Sequence, residues 1–237
     1  MDRILALLIF CFSLCSGTDA FAATEGWFTF GDETVKGCEN GGSSAEAFDV
    51  VALPNGDWLV GGWFDHCGGV EVNGIARWDH NDEKWYPLGS GLAGGGFLTG
   101  AFTIAVAGDD VYVGGDFSQA GGVPAANIAR WNWNTGQWSA LGAGLDDEVN
   151  AILVHDGAVY AGGYFDQSGN DDEDLSGIAR WDGSTWNPLG DGLSIVTSLA
   201  IFNDELYAGG FFSNAGGNPN ADNIARWNGV GWTSGHL

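Results

Sequence analysis

Positive charge is what this chain has least of: seven Lys and Arg face 31 Asp and Glu in 237 residues, a formal net charge of −24. So anionic a surface repels phosphate backbones and acidic lipid, which excludes nucleic acid as a partner. Solubility alone accounts for such a surface, so charge by itself names no cationic partner. Four of the seven cations, Arg77, Arg130, Arg180 and Arg226, sit in one recurring motif, leaving Arg3, Lys36 and Lys84 for everything else. Helical periodicity is missing along the whole chain, which points to an all-β fold. Long apolar runs are missing too. The stretch from Ile4 to Cys15 is too short to favour a spanning helix. The histidines, His66, His80, His155 and His236, are scattered, with no His-x-His or clustered ligand pair. Carboxylate pairs abound, but with acids this frequent a glycosidase-like pair is a matter of chance.

That short apolar stretch reads instead as the core of a secretory signal spanning residues 1–22. Asp2 and Arg3 form a polar start, and Ala20-Phe21-Ala22 offers small residues before a cut at Ala23. Leu14 before Cys15 does not fit a lipid-anchor signal. The expectation is a secreted or cell-surface protein, with no membrane insertion after cleavage. Cys11 and Cys15 leave with the signal, and Cys38 with Cys67 remains as a candidate disulfide for an oxidising compartment. Residues 23–237 show one composition regime and make one domain of a size that needs no disulfide for its core.

Within that domain one motif is written four times. An apolar run leads to Gly-Gly, a variable residue and Phe; a glycine-rich gap follows, then Ile-Ala-Arg-Trp and a second Trp. The Ile-Ala-Arg-Trp copies end at Trp78, Trp131, Trp181 and Trp227, spaced 53, 50 and 46 residues apart. Periods of this length belong to propeller blades or solenoid units. In the third copy Val149 to Val154 reads as a strand, His155-Asp156-Gly157 as a tight turn, and Ala158 to Phe165 as a second strand. Gly177 to Trp181 and Thr185 to Leu189 supply two more. Four short strands per repeat predict β-propeller blades at about 48–90, 102–143, 149–191 and 196–237. Alternation puts Ile178 and Arg180 on one face of the third strand, Ala179 and Trp181 on the other. Recurrence of the arginines tracks packing, each held against a ring or a carboxylate in its own blade.

Gly-Gly followed by Arg-Trp-Asp and a second Trp resembles the kelch and galactose-oxidase propellers. The string Gly-Gly-Asp-Phe-Ser-Gln-Ala-Gly-Gly at 114–122, with Asn127 to Trp131 and Leu141-Gly142, is more similar to repeats of the fungal cortical polarity marker and its bacterial secreted relatives. The resemblance covers about 24–235 and implies blade architecture; propellers host many functions, so it implies no particular activity. Copper chemistry of the galactose-oxidase kind would need ligands and a cross-linked tyrosine that have no place in this chain.

Trp27 to Gly31 matches an outer strand, with Phe30 in the usual Leu place, and precedes the four full repeats. In a closed ring such a strand completes a blade begun at the other end of the chain. The expectation is a fragment of a ring of five or more blades, a four-blade ring with a spare strand being the alternative. Self-association through an open blade edge would follow.

Blade connectivity places the inter-blade links and the gaps after each second strand on one side of the domain. Cys38 and Cys67 both fall there. So do Asp166 and the run Asp171, Asp172, Glu173 and Asp174, which make an oxygen-rich candidate site for calcium without EF-hand spacing, or else a solvated acidic loop. The variable residues Trp63, Asp116, Tyr164 and Phe211 end their second strands on that side, as candidate ligand contacts or as rings packed between blades. Trp133 lies in the opposite hairpin. Together these features predict a non-enzymatic propeller that acts as a binding or structural module for an extracellular protein or glycan. The alternatives are the propeller portion of a larger secreted enzyme or adhesin, and a dedicated carbohydrate binder.

Overall fold

The computed structural model describes residues 37–41, 43–96, 98–170 and 173–235. The signal at 1–22, the orphan strand at 27–31, Asp171, Asp172 and His236 lie outside them. Four antiparallel four-stranded sheets follow one another along the chain, each in simple sequential order. The first is Glu46–Ala52, Trp58–Trp63, Ile75–Asp79 and Lys84–Pro87. The second is Gly100–Ala107, Asp110–Asp116, Ile128–Asn132 and Gln137–Ala140. Val149–His155, Ala158–Gly163, Ile178–Trp181 and Trp186–Pro188 make the third. Val196–Phe202, Glu205–Gly210, Ile224–Trp227 and Trp232–Ser234 make the fourth. The fold is an all-β propeller, and no α-helix occurs among the described residues. Inner strands of consecutive blades pack on one another in sequence order.

Strand alternation sends the two faces of each sheet to two different neighbours, so the hydrophobic cores lie between blades. Ile178 joins a cluster with Leu206, Ala208 and Ala225 of the fourth blade, while Ala179 and Trp181 join one with Ile128 of the second. The Gly-Gly pair makes this packing possible. A Cβ on Gly61 would lie 2.9 Å from Ala101 Cβ of the next blade, and one on Gly114 would meet Val149 and Ile152 in the same way. The second glycine of each pair instead faces a backbone carbonyl at, or just before, the start of its own inner strand: Glu46, Gly100, Glu148 or Ile195. Each inner strand carries a β-bulge there, between Ala47 and Asp49, Ala101 and Thr103, Val149 and Ala151, and Val196 and Ser198.

Outer-strand tryptophans tie one blade to the next. Trp138, Trp186 and Trp232 donate their indole N–H to the carbonyls of Leu88, Leu141 and Leu189 in the preceding blade, at 2.8, 3.0 and 2.8 Å. The Leu of the Trp-x-x-Leu-Gly pattern is therefore an acceptor as well as a core residue. The residue after each Ile-Ala-Arg-Trp closes the following hairpin. Side-chain oxygens of Asp79, Asn132, Asp182 and Asn228 accept backbone N–H groups two and three residues on. These bonds hold the exposed Asp182 carboxyl well below its usual range, the Thr185 N–H contributing most.

The recurring arginines have local partners in three blades. Arg77 lies 2.8 Å from Asp79 and 3.7 Å from Asp57, Arg226 is 3.0 Å from Glu205, and Arg130 is 3.6 Å from Asp110. In the third blade the position of these second-strand acids holds Ala158, and Arg180 forms no ion pair among those seen in the described residues. Trp133 belongs to the scaffold, stacked edge-on against Trp131 at 6.1 Å and beneath Arg77 at 5.9 Å.

A carboxylate also works across a blade boundary. Asp49 Oδ2 accepts the Ile104 N–H of the next blade at 2.7 Å. Burial pushes its carboxyl above the usual value, and hydrogen bonds from Ile104 and Val50 only partly offset this. A raised folded-state pKa means that ionisation opposes folding: stability falls as pH rises from the ordinary carboxylate value through the raised one, then levels off. At the equivalent place Thr103 serves the Ile152 N–H with a neutral oxygen at 3.3 Å. Asp49→Asn, which keeps an acceptor, is therefore expected to raise the melting temperature at pH 7 by about a few degrees. The gain should shrink as pH is lowered below the carboxylate range in paired thermal melts.

Candidate functional site

The links between blades and the loops after the second strands share one side of the propeller, where backbone hydrogen bonds weave them into a belt. Leu92 N donates to Asn73 O, Ser118 N to Ala93 O, Leu145 N to Ala126 O, Gly169 N to Gly144 O, and Leu193 N to Ser176 O. Each link is thus clasped by the loop of the blade it leaves, and two of them also by the loop of the blade it enters. Two loops carry short ribbons of their own. Cys38–Asn40 pairs with His66–Cys67, and Leu92–Ala93 with Gln119–Ala120. The first pairing sets Cys38 opposite Cys67, and the two form the expected disulfide.

On this belt the structure puts Trp63, Asp116, Tyr164 and Phe211 at one equivalent place in successive blades, immediately after Gly-Gly and beside the start of the inner strand. Trp63 pairs with Glu46 and Asp116 with Gly100; Tyr164 and Phe211 donate their backbone N–H groups to Glu148 and Ile195 at 2.9 Å each. Their surroundings differ. Tyr164 is 44% exposed and Phe211 68%, whereas Trp63 is half-buried. Tyr164 and Phe211 are thus not consumed by packing between blades.

Asp116 lines a shallow cleft of about 360 Å³ with Gly94, Gly96, Asn127, Asp146 and Gly169. A second cleft of about 440 Å³, with Asp166, Ser176, Asp191, Ser194 and Asn214 on its walls, lies further along the belt. Much of the acidity here organises loops. Both oxygens of Asp116 accept the Gly96 N–H, at 2.7 and 2.8 Å. Asp146 Oδ1 accepts the N–H groups of Asp166 and Gln167 at 2.9 and 3.0 Å, and Asp222 takes that of Asn214 at 2.8 Å. Glu148 stands apart: burial, then the charges of Asp116 and Asp147, push its carboxyl above the usual value.

For calcium, the described members of the predicted set do not converge. Asp174 accepts the Ser176 hydroxyl at 3.0 Å, and Asp166 and Glu173 are exposed. Among the described residues one group of three potential ligands has its donor atoms within 4.8 Å of one another: Asp57, Asp79 and His80, at the hairpin end opposite the belt. Sequence reading passed over it. Asp57 is 1% exposed and accepts from His80 N at 3.2 Å, His80 Nδ1 at 3.1 Å and Asn55 Nδ2 at 2.7 Å, with Arg77 beside it. Burial raises its carboxyl, but those hydrogen bonds and the Arg77 charge outweigh burial and leave it below the usual range. Arg77 already supplies the compensating cation, so the arrangement is that of a buried structural carboxylate. The other described histidines have local partners: His66 is raised above its ordinary value by a hydrogen bond with Asp65, and His155 faces Asp156 at 3.5 Å.

A family model described as a β-propeller domain of unknown function, DUF5122, matches residues 53–79, the second and third strands of the first blade. Curated protein sequences yield no match. Among solved structures the chain is similar to the extracellular domain of a protein described as a hybrid two component system from B. thetaiotaomicron, with 11% identity and a TM-score of 0.52. That similarity covers 86% of this chain and 23% of the other. It is also similar to the catalytically inactive virginiamycin B lyase from Staphylococcus aureus with quinupristin, at 13% identity and a TM-score of 0.51, covering 84% of this chain and 58% of that one. The chain thus spans less than two thirds of either protein, and identities this low establish the propeller fold alone.

Proposed function

We propose that this chain is an exported, non-enzymatic propeller whose loop belt binds extracellular carbohydrate. The reading rests on the recurrence of Trp63, Tyr164 and Phe211 at one blade position, with Tyr164 and Phe211 open to solvent on the belt that also carries two clefts lined by Asp and Asn. Sugar rings offer C–H faces that stack on aromatic side chains, and hydroxyls that pair with carboxylates and amides. Kinship with kelch and galactose-oxidase repeats, and more nearly with the fungal cortical polarity marker and its bacterial secreted relatives, belongs to the same proposal. The extracellular setting of the B. thetaiotaomicron neighbour supports export. Against catalysis stands the chemistry of the belt, where Asp116 and Asp146 serve as acceptors for loop N–H groups.

Glycan-array binding, with and without calcium, tests this directly. Binding of a glycan should be weakened by Tyr164→Ala and by Trp63→Ala, each by roughly thirtyfold or about 2 kcal/mol, the scale of a hot-spot ring. Calcium dependence would show that a cation takes part in binding. An array silent under both conditions would remove the carbohydrate reading and leave a protein ligand or a scaffold role within a larger secreted protein.

A further inference from the structure

Among the described residues three blade faces are covered by the inner strand of the next blade, and the fourth is bare. Ile75, Ile128 and Ile178 are all 0% exposed, but the equivalent Ile224 is 48% exposed. Above Gly61, Gly114 and Gly162 lie Ala101, Val149 and Val196 of the following blade; Gly209 has only Ser198 and Asn223 of its own blade near it. Phe202 at 49% and Ala200 extend the open surface.

The missing counterpart is present at the other end of the described chain. Residues that sit on a preceding blade's glycine are buried in blades two to four: Ala101, Val149 and Val196 are 0% exposed, and Ile104 is 6%. Their first-blade equivalents by register are Ala47 and Val50, and both are exposed, Val50 at 41%. Among the described residues the first and last inner strands do not pack on one another as neighbouring blades do. One unused socket and one unused set of knobs thus remain from an interface the chain forms three times.

We propose that a second copy of this chain docks head to tail, with its Ala47 and Val50 seated over Gly209 and against Ile224. The argument for this occupant is continuity: the contact would repeat, between copies, the Ala101 and Ile104 packing on Gly61. The interface is heterologous, so two copies close on each other if the rotation allows and otherwise extend into longer assemblies. Both copies are strongly acidic, so repulsion opposes the contact and added salt strengthens it. The proposal does not depend on what the loop belt binds.

Sedimentation velocity of the purified chain in low and high salt is the test. Assemblies of two or more copies are expected, favoured by concentration and salt. Val50→Lys and Ile224→Lys, both at exposed positions, should each abolish closed pairs with the circular dichroism spectrum unchanged. Mixing the two variants should restore a pair, because one keeps the socket and the other keeps the knobs. Should either lysine variant fail to fold, Val50→Thr and Ile224→Ser should each weaken association at least tenfold. A wild-type chain that stays monomeric at every concentration, an association that survives both substitutions, or a variant mixture that stays monomeric would overturn the proposal.

Discussion

Gly163→Ala is expected to destabilise the propeller by at least about 3 kcal/mol, at or beyond the upper end of ordinary overpacking. The new Cβ would fall well inside van der Waals contact of the Glu148 carbonyl oxygen. That atom cannot retreat, because it immediately precedes the bulged start of the inner strand and accepts the Tyr164 N–H at 2.9 Å. Moving it breaks the pairing that holds the second strand. Gly62, Gly115 and Gly210 face the same obstacle, so alanine at any of them should act alike. The control is Gly157→Ala in the hairpin of the same blade. Its φ of +74° disfavours alanine, but nothing lies within 4 Å of the new atom, and the cost should stay near ~1 kcal/mol. Denaturant midpoints for the two variants provide the comparison; equal midpoints would show that the close approach is not what fixes this glycine.

Trp186→Ala should cost about 3–5 kcal/mol, the range for deleting a large buried ring. The indole is 4% exposed and lies 5.4 Å from Trp181, centroid to centroid. It also donates to Leu141 O across the blade boundary. Trp186→Phe separates the two contributions, since it keeps most of the apolar volume and strands the Leu141 carbonyl, at a cost of about 1–3 kcal/mol. Equilibrium unfolding of both variants reads the difference. If the phenylalanine variant were as stable as wild type, the interblade hydrogen bond would have no role in stability and the tryptophan would be conserved among the four repeats for volume alone.

Much of the scaffold was legible because repetition separates construction from use. The Gly-Gly pairs, the Ile-Ala-Arg-Trp strands and the Asp156-Gly157 turn identify four-stranded blades, since each pattern answers a local requirement of strand pairing or turn geometry. The Cys38 to Cys67 bridge followed from placing both cysteines on one side. Less legible were roles that depend on a partner distant in sequence. Asp116 looks like any surface acid until Gly96 is folded onto it, and Asp49 looks solvated until Ile104 of the next blade covers it. Arg180 shares its motif with three paired arginines, yet its blade holds Ala158 where those of Arg130 and Arg226 hold Asp110 and Glu205. The hairpin caps Asp79, Asn132, Asp182 and Asn228 could have been read from the sequence, since an Asp or Asn follows every Ile-Ala-Arg-Trp and caps its own turn two residues on.

The candidate site divides along the same line. Position within a repeat put Trp63, Asp116, Tyr164 and Phe211 on one side of the domain, which needs only strand alternation and connectivity. Exposure was a tertiary outcome, because it depends on which loops fold back over each ring: Tyr164 and Phe211 stand open while Trp63 is half-covered. By itself the sequence determined the blade, its strand order and the side on which the links gather, since these follow from local backbone preference repeated at a fixed period; it offered the disulfide as a candidate, which the structure forms. Only the tertiary structure decided which carboxylates are tied to loop N–H groups, which rings remain accessible, and that Ile224 lies bare where Ile75, Ile128 and Ile178 are buried. Identical motifs acquire different surroundings because burial belongs to the neighbour a residue is given and not to the residue.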